Sequence, residues 1–405
     1  MKDDYRESPE IQHIKADGKD IEYLPDLLDG IKEYGIILPN KNVQFPIIKH
    51  YLCAPSHKCN VLGVLFSQGA SGSGKSDLTK IAAAIHGLSG TKGILMAEST
   101  PTAIRNDICE YKYGEGWLDH LEAGGSLDDL EKNCILLWDD ISPAQLKNPF
   151  TLSLLKSSYN RSSAIVKIAI SGEGKNMPFN TFSKKVTSSI HPIWQQPELV
   201  ELKRRIFPIK HCNYDALSPE DKANNLSPDS DKLILWEYVD FGDYQGFDNF
   251  WNQDRLDAFS RLSRDRKVRN VVRKSNIPNK QIQISYDVII AGMIVDDLSV
   301  GDIVDTYEEY WAYVNDVVLS KQSALHIFLE DYIKQSYKSW IQNLPDNMSH
   351  EIASDELSIA LRRAVVNGQI LDGRYKSHLS DVMAHFGYEQ QRSLFNRSIC
   401  WKKIG

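Results

Sequence analysis

No stretch of the chain approaches the roughly 18 consecutive apolar residues that a bilayer-crossing helix needs, and the start, Met1-Lys2-Asp3-Asp4-Tyr5-Arg6, has no secretory pattern. The expected setting is the cytoplasm, with no membrane partner. Cysteine is sparse. Six in 405 residues, with no repeated C-x-x-C spacing, fit reduced thiols rather than a disulfide framework. Cys53, His57 and Cys59 offer three metal donors without a fourth, which argues against zinc. Positive charge is not in excess either. A formal net charge of −7 excludes a uniformly basic coat, so any nucleic-acid contact must come from a local patch. The length is too great for one core and predicts two or three domains.

What is present is a phosphate cradle. Gly69-Ala70-Ser71-Gly72-Ser73-Gly74-Lys75-Ser76 lies between an apolar run, Val61 to Phe66, and a helical segment from Leu78 to Ile85. Gly69, Gly72 and Gly74 lack the Cβ that would keep backbone N–H groups from converging on an anion, and the helix start adds the positive end of its dipole. In the full G-x-x-x-x-G-K-[ST] spacing, Lys75 would reach the outer phosphates and the Ser76 hydroxyl would ligate Mg2+. The expected ligand is ATP with its magnesium ion.

A second element completes the chemistry. Cys134-Ile135-Leu136-Leu137-Trp138-Asp139-Asp140 reads as a buried strand ending in two carboxylates, which a parallel sheet delivers to its ligand-binding carboxyl edge. Asp139 would hold the magnesium, and Asp140 would orient and help deprotonate the attacking water. Further strands are expected at Gly93–Ala97, at Ala164–Ile170, which contains Lys167, and at Lys184–Ile190, with a polar hairpin or loop over Ser171–Pro178 that contains Lys175. Lys184–Ile190 would bring hydroxyls, Ser189 among them, to the same edge as Asp139. Arg204 and Arg205 stand just before the apolar strand Ile206-Phe207-Pro208-Ile209.

This succession resembles the ATPase core of superfamily 3 helicases, an AAA+ branch, most closely its phage- and poxvirus-type primase–helicases. The resemblance covers roughly residues 45 to 212. It implies a P-loop AAA+ type α/β fold, a parallel sheet flanked by helices, and assembly as a homo-oligomeric ring, hexameric in the family's manner, acting on single-stranded or forked DNA. Lys167 and Lys175 occupy the place of the family's basic motif, whose hairpin contacts DNA in the ring pore. Ser189, three residues before Pro192, stands where the family carries a polar sensor, usually asparagine. Arg204 or Arg205 would be an arginine finger reaching the neighbouring subunit's phosphates.

The rest divides more coarsely. Residues 1–44 form a helical preface, 45–212 the ATPase domain, 213–285 a linker and basic helical segment, and 286–405 a mostly helical region with a winged-helix-like end. Arg255 to Lys274 is basic and amphipathic, a pattern that suits either a nucleic-acid backbone or a solvated face. The aromatics Tyr307, Tyr310, Trp311 and Tyr313 are expected in a core. The leading expectation is a DNA-translocating or unwinding ATPase of a phage, plasmid or mobile element, any primase or initiator being a separate polypeptide. Two other readings stay open: an ATPase that remodels or signals through protein partners, for example in anti-phage defence, and a non-catalytic oligomerisation module.

Overall fold

The computed structural model describes residues 24–70, 72–88, 94–95, 101–127, 130–146, 148–169, 176–190, 202–236, 244–315, 328–329, 332–336, 351–366, 379–380, 383–384, 386–392 and 399–403. Two compact units emerge: Met1–Trp194 with Glu201–Leu319, and Gln195–Val200 with Ser320–Gly405. The expected divisions at 212/213 and 285/286 therefore fall inside the first unit, because the helices after the sheet pack back onto it.

The strands of the first unit are β1 (Val64–Gln68), β2 (Ile94–Leu95), β3 (Ile135–Trp138), β4 (Ile165–Ala169), β5 (Asn176–Asn180), β6 (Lys184–Ser189) and β7 (Ile206–Lys210). Five of them form one sheet in the order β2-β3-β6-β1-β7, with every pairing parallel. β4 and β5 pair antiparallel outside that sheet. The strongly apolar β3 is buried at every position, as expected of a parallel sheet covered on both faces.

The helix Lys75–Ile85 covers the sheet with Leu78, Ile81, Ala82 and Ile85. The helices Lys41–Cys53, Asn279–Val295 and Val300–Tyr313 pack together. Tyr307, Tyr310 and Trp311 are fully buried there. The Tyr310 hydroxyl donates to the Pro208 carbonyl of β7 (3.2 Å), and the Trp311 ring lies 5.7 Å from that of Phe207. Core aromatics thus join these helices to the sheet. Among the described residues no helix is long and apolar enough to cross a membrane.

In the second unit, β8 (Glu351–Ala353), β9 (Tyr388–Arg392) and β10 (Ile399–Lys403) form an antiparallel sheet in the order β8-β10-β9. With the helix Ser354–Val366 they enclose a separate small core that includes Leu357, Leu361, Tyr388 and Trp401.

Candidate functional site

The chain leaves β1 at Gln68 and enters the helix at Lys75 through the glycine loop. Gly72 (φ 75°) and Gly74 (φ 77°) adopt the left-handed conformation that costs glycine least. Gly69 is needed for a different reason: a Cβ there would come within 2.8 Å of both the Cβ and the carbonyl oxygen of His211. Gly74 is the N-cap of the helix and gives no side-chain hydrogen bond to its first N–H groups. Those donors are left for an anion, favoured further by the helix dipole. Lys75 is buried, and its Nζ lies 4.0 Å from Asp140 Oδ1. Ser71 lies outside the described residues.

Strand register brings the acids to this loop. Trp138 aligns with Thr187, and Gln68 with Ser189, so β3, β6 and β1 end together at the carboxyl edge. The Ser188 hydroxyl donates to Asp139 Oδ1, and the Asp140 N–H donates to Ser188 Oγ (2.7 Å). From the helix side, the Thr79 hydroxyl donates to the Ser76 carbonyl (2.9 Å) and approaches Asp139 Oδ1 (3.4 Å). Asp139 is thus oriented from both sides, one turn of helix from Ser76. Asp140 takes a left-handed conformation (φ 51°), uncommon for a residue with a Cβ, and over half of its side chain stays accessible.

No family model matches the chain, and no curated protein is similar to it. Among solved structures, it is similar to one titled "SCCmec type IV Cch - active helicase", at 11% sequence identity and a TM-score of 0.35, over 89% of this chain and 67% of that one. That likeness is distant.

Two residues the sequence reading did not single out complete the site. One is Ser188, whose bond to Asp139 follows from the strand register. The other is His211, which follows β7 and is 3% exposed; its backbone N–H donates to the Gln68 carbonyl (2.7 Å). Burial drives its imidazole pKa down to about 3, a contact with the Ser73 backbone opposing, so the ring is neutral. Among the described residues, neither ring nitrogen closes a hydrogen bond of good geometry, and the buried Ser73 hydroxyl also lacks a partner. The signal for His211 was a polar residue ending a strand at the ligand edge, a pattern too common to single out.

Of the remaining expected residues, Ser189 shares this edge and the two arginines do not. Ser189 is at the carboxyl edge, but its hydroxyl donates to the Ile141 carbonyl (2.9 Å), leaving Ser188 as the hydroxyl on Asp139. Arg204 and Arg205 precede β7 and so sit at the amino edge, since Val64 of β1 aligns with Ile206. The five residues of β1 hold them about 16 Å of strand from their own phosphate loop. The Arg205 guanidinium lies over the Tyr159 ring, 5.0 Å from its centroid, and Arg204 is exposed. Lys167 is in β4; Lys175 lies outside the described residues.

The amino edge also carries buried charge. Glu131 accepts from Arg161 Nη1 at 2.6 and 2.7 Å and pairs with Lys112 (2.8 Å), and despite its burial these cations hold its pKa below the ordinary value. Asp287 Oδ2 accepts the N–H groups of Asn60 (2.6 Å) and Val61 (2.9 Å). Lys184 Nζ donates to the Leu52 carbonyl (2.8 Å), and Lys185 Nζ to those of Ser183 (2.8 Å) and Ser158 (3.0 Å). Full burial drives both ammonium groups down to about pKa 7. Cys53 and Cys59 are buried, and no metal-holding group of His, Cys, Asp or Glu occurs among the described residues.

Proposed function

We propose that this chain is a magnesium-dependent ATPase that assembles as a homo-oligomeric ring, hexameric by its resemblance to superfamily 3 helicases, and couples hydrolysis to movement on DNA or its unwinding. One observation supports this reading above the others: the loop Gly69–Ser76 and the pair Asp139–Asp140 meet at one sheet edge, with Lys75 4.0 Å from Asp140. The cradle suits a triphosphate, because its helix start is uncapped, its glycines hold left-handed turns, and its lysine is buried. Gly69 to Ser76 would bind ATP through backbone N–H groups and Lys75. Ser76 and Asp139 would hold Mg2+, which when bound offsets charge on the phosphate oxygens. Asp140, accessible beside Lys75, would orient the attacking water and take its proton.

The arginines lie too far from their own loop to serve it, which suits action on a neighbour's nucleotide. Arg204, exposed, is the better candidate for that reach, and Arg205, stacked on Tyr159, would position the edge. The β4–β5 hairpin, which carries Lys167 in β4 and has Lys175 just before β5, is the candidate pore contact with DNA. A separate primase or initiator would supply priming.

The test is ATP turnover with and without single-stranded DNA. Stimulation by DNA, loss of more than about 100-fold in Lys75→Ala, and partial rescue when Lys75→Ala and Arg204→Ala subunits are mixed would support the motor. Turnover indifferent to DNA would favour a protein remodeller, and nucleotide binding without turnover a scaffold.

A further inference from the structure

We propose that the helix Arg266–Lys274 is a second nucleic-acid contact, a cationic ridge that binds the phosphodiester backbone apart from the β4–β5 hairpin. The inference rests on the reading of this chain as a nucleic-acid-coupled ATPase. At 100° per residue, Arg266, Lys267, Arg269, Arg273 and Lys274 fall within an arc of about 160°, with Asn270 among them. Val268 and Val272 lie opposite and are buried, while all five cations are exposed. The ridge therefore has one side fixed in the fold and the other free for a ligand.

Stability does not account for this placement. Arg266 and Lys267 stand in the first turn, where the helix dipole disfavours cations, and that turn contains no acid. Among the described residues no carboxylate comes within ion-pair distance of any of the five. Asp265 turns its carboxylate to the helix start, where Oδ1 accepts the Lys267 N–H (2.6 Å). Arg269 reaches the Ser263 carbonyl (3.4 Å), a neutral group. The five cations thus form no ion pair among the described residues of a protein whose net charge is −7, which makes the ridge a local attractor for a polyanion.

The dimensions suit a nucleic-acid strand. From Arg266 to Lys274 the helix rises about 12 Å, and a strand presents a phosphate about every 3.4 Å along a duplex axis, so the ridge spans three or four. A cavity of about 300 Å³ borders it, lined by Arg269 and Arg273 with Gln283, Tyr286 and Asp287, the last of which is buried and accepts the N–H groups of Asn60 and Val61, and gives the approaching backbone a concave margin.

The test uses the full chain with a non-hydrolysable ATP analogue. Binding of fluorescein-labelled oligodeoxythymidine, and of a duplex of the same length, is followed by anisotropy between about 50 and 200 mM salt. Arg266→Glu/Lys267→Glu/Arg273→Glu/Lys274→Glu should weaken binding at least about tenfold and lower the slope of log K against log salt by about 2 to 3. Arg273→Glu/Lys274→Glu covers the case in which the fourfold variant fails to fold, and should take about half that slope. Lys132→Glu/Lys232→Glu removes two exposed cations elsewhere and should leave the slope intact. DNA-independent turnover should stay at the wild-type rate in all three.

An unchanged slope in the ridge variants, or an equal loss in the control, overturns the ridge while leaving DNA as the partner. Wild-type protein that hydrolyses ATP but binds neither oligonucleotide overturns both the ridge and the DNA motor, and points the cations toward an acidic protein.

Discussion

At the carboxyl edge of the sheet the Ser73 hydroxyl and the His211 ring are buried without good hydrogen-bond partners among the described residues, whereas at the amino edge Glu131 and Asp287 are each held by two groups. Glu131 has Lys112 and Arg161, and Asp287 has the N–H groups of Asn60 and Val61. Beside the loop, two polar groups are left for something else to satisfy; at the other edge, these two carboxylates hold the chain. A buried polar group without a partner costs stability, so its persistence beside a glycine loop fits a place that a ligand completes.

The largest effect is expected at Glu131. Glu131→Gln would leave Lys112 and Arg161 facing each other without their carboxylate. We expect a loss of about 3 kcal/mol in urea unfolding, with nucleotide affinity of the folded protein unchanged. A shift in affinity of more than about threefold would mean that the two edges are not separate in role.

The next test uses pH. Lys184 is driven from 10.5 to about 7 by burial, so between those values the unfolded chain binds more protons than the folded one. Stability should therefore rise with pH across that window, by about 1 kcal/mol per unit from this lysine. Lys184→Met should reduce the rise between about pH 7.5 and 8.5 by about half, Lys185 supplying the remainder, as measured by denaturant midpoints. A wild-type stability that falls with pH in that range would contradict it.

The smallest effect sharpens the carboxyl-edge argument. His211→Phe keeps a ring under the loop and removes two polar atoms that lack good partners. Stability should stay level or rise by up to about 1 kcal/mol, while ATP affinity falls a few-fold. Loss of stability with unchanged affinity would show that His211 serves the fold alone.

The parts legible in the sequence were those whose meaning is local. The glycine loop is contiguous, the apolar runs of β1, β3 and β7 carry their own length, and the aromatics of Val300–Tyr313 recur at core spacing. What was not legible depends on neighbours. Successive side chains of a strand point to opposite faces, so only the pairing of Trp138 with Thr187 decides that Ser188, not Ser189, meets Asp139. Lys184 and Lys185 look like a solvated strand start, yet distant carbonyls of Leu52 and Ser158 receive them. The helices after residue 252 look like a separate region, because nothing near Asp287 in sequence announces that its carboxylate caps Asn60.

β6 stands between the loop-bearing β1 and the acid-bearing β3, so on the proposed function capture and cleavage rest on separate strands and are separable inheritances. Position 140 is accessible at the rim, whereas the glycine turn is locked to the next strand through His211. On the proposed function, a chain that lost the carboxylate at position 140 would keep its grip on nucleotide and become a clamp in place of a motor.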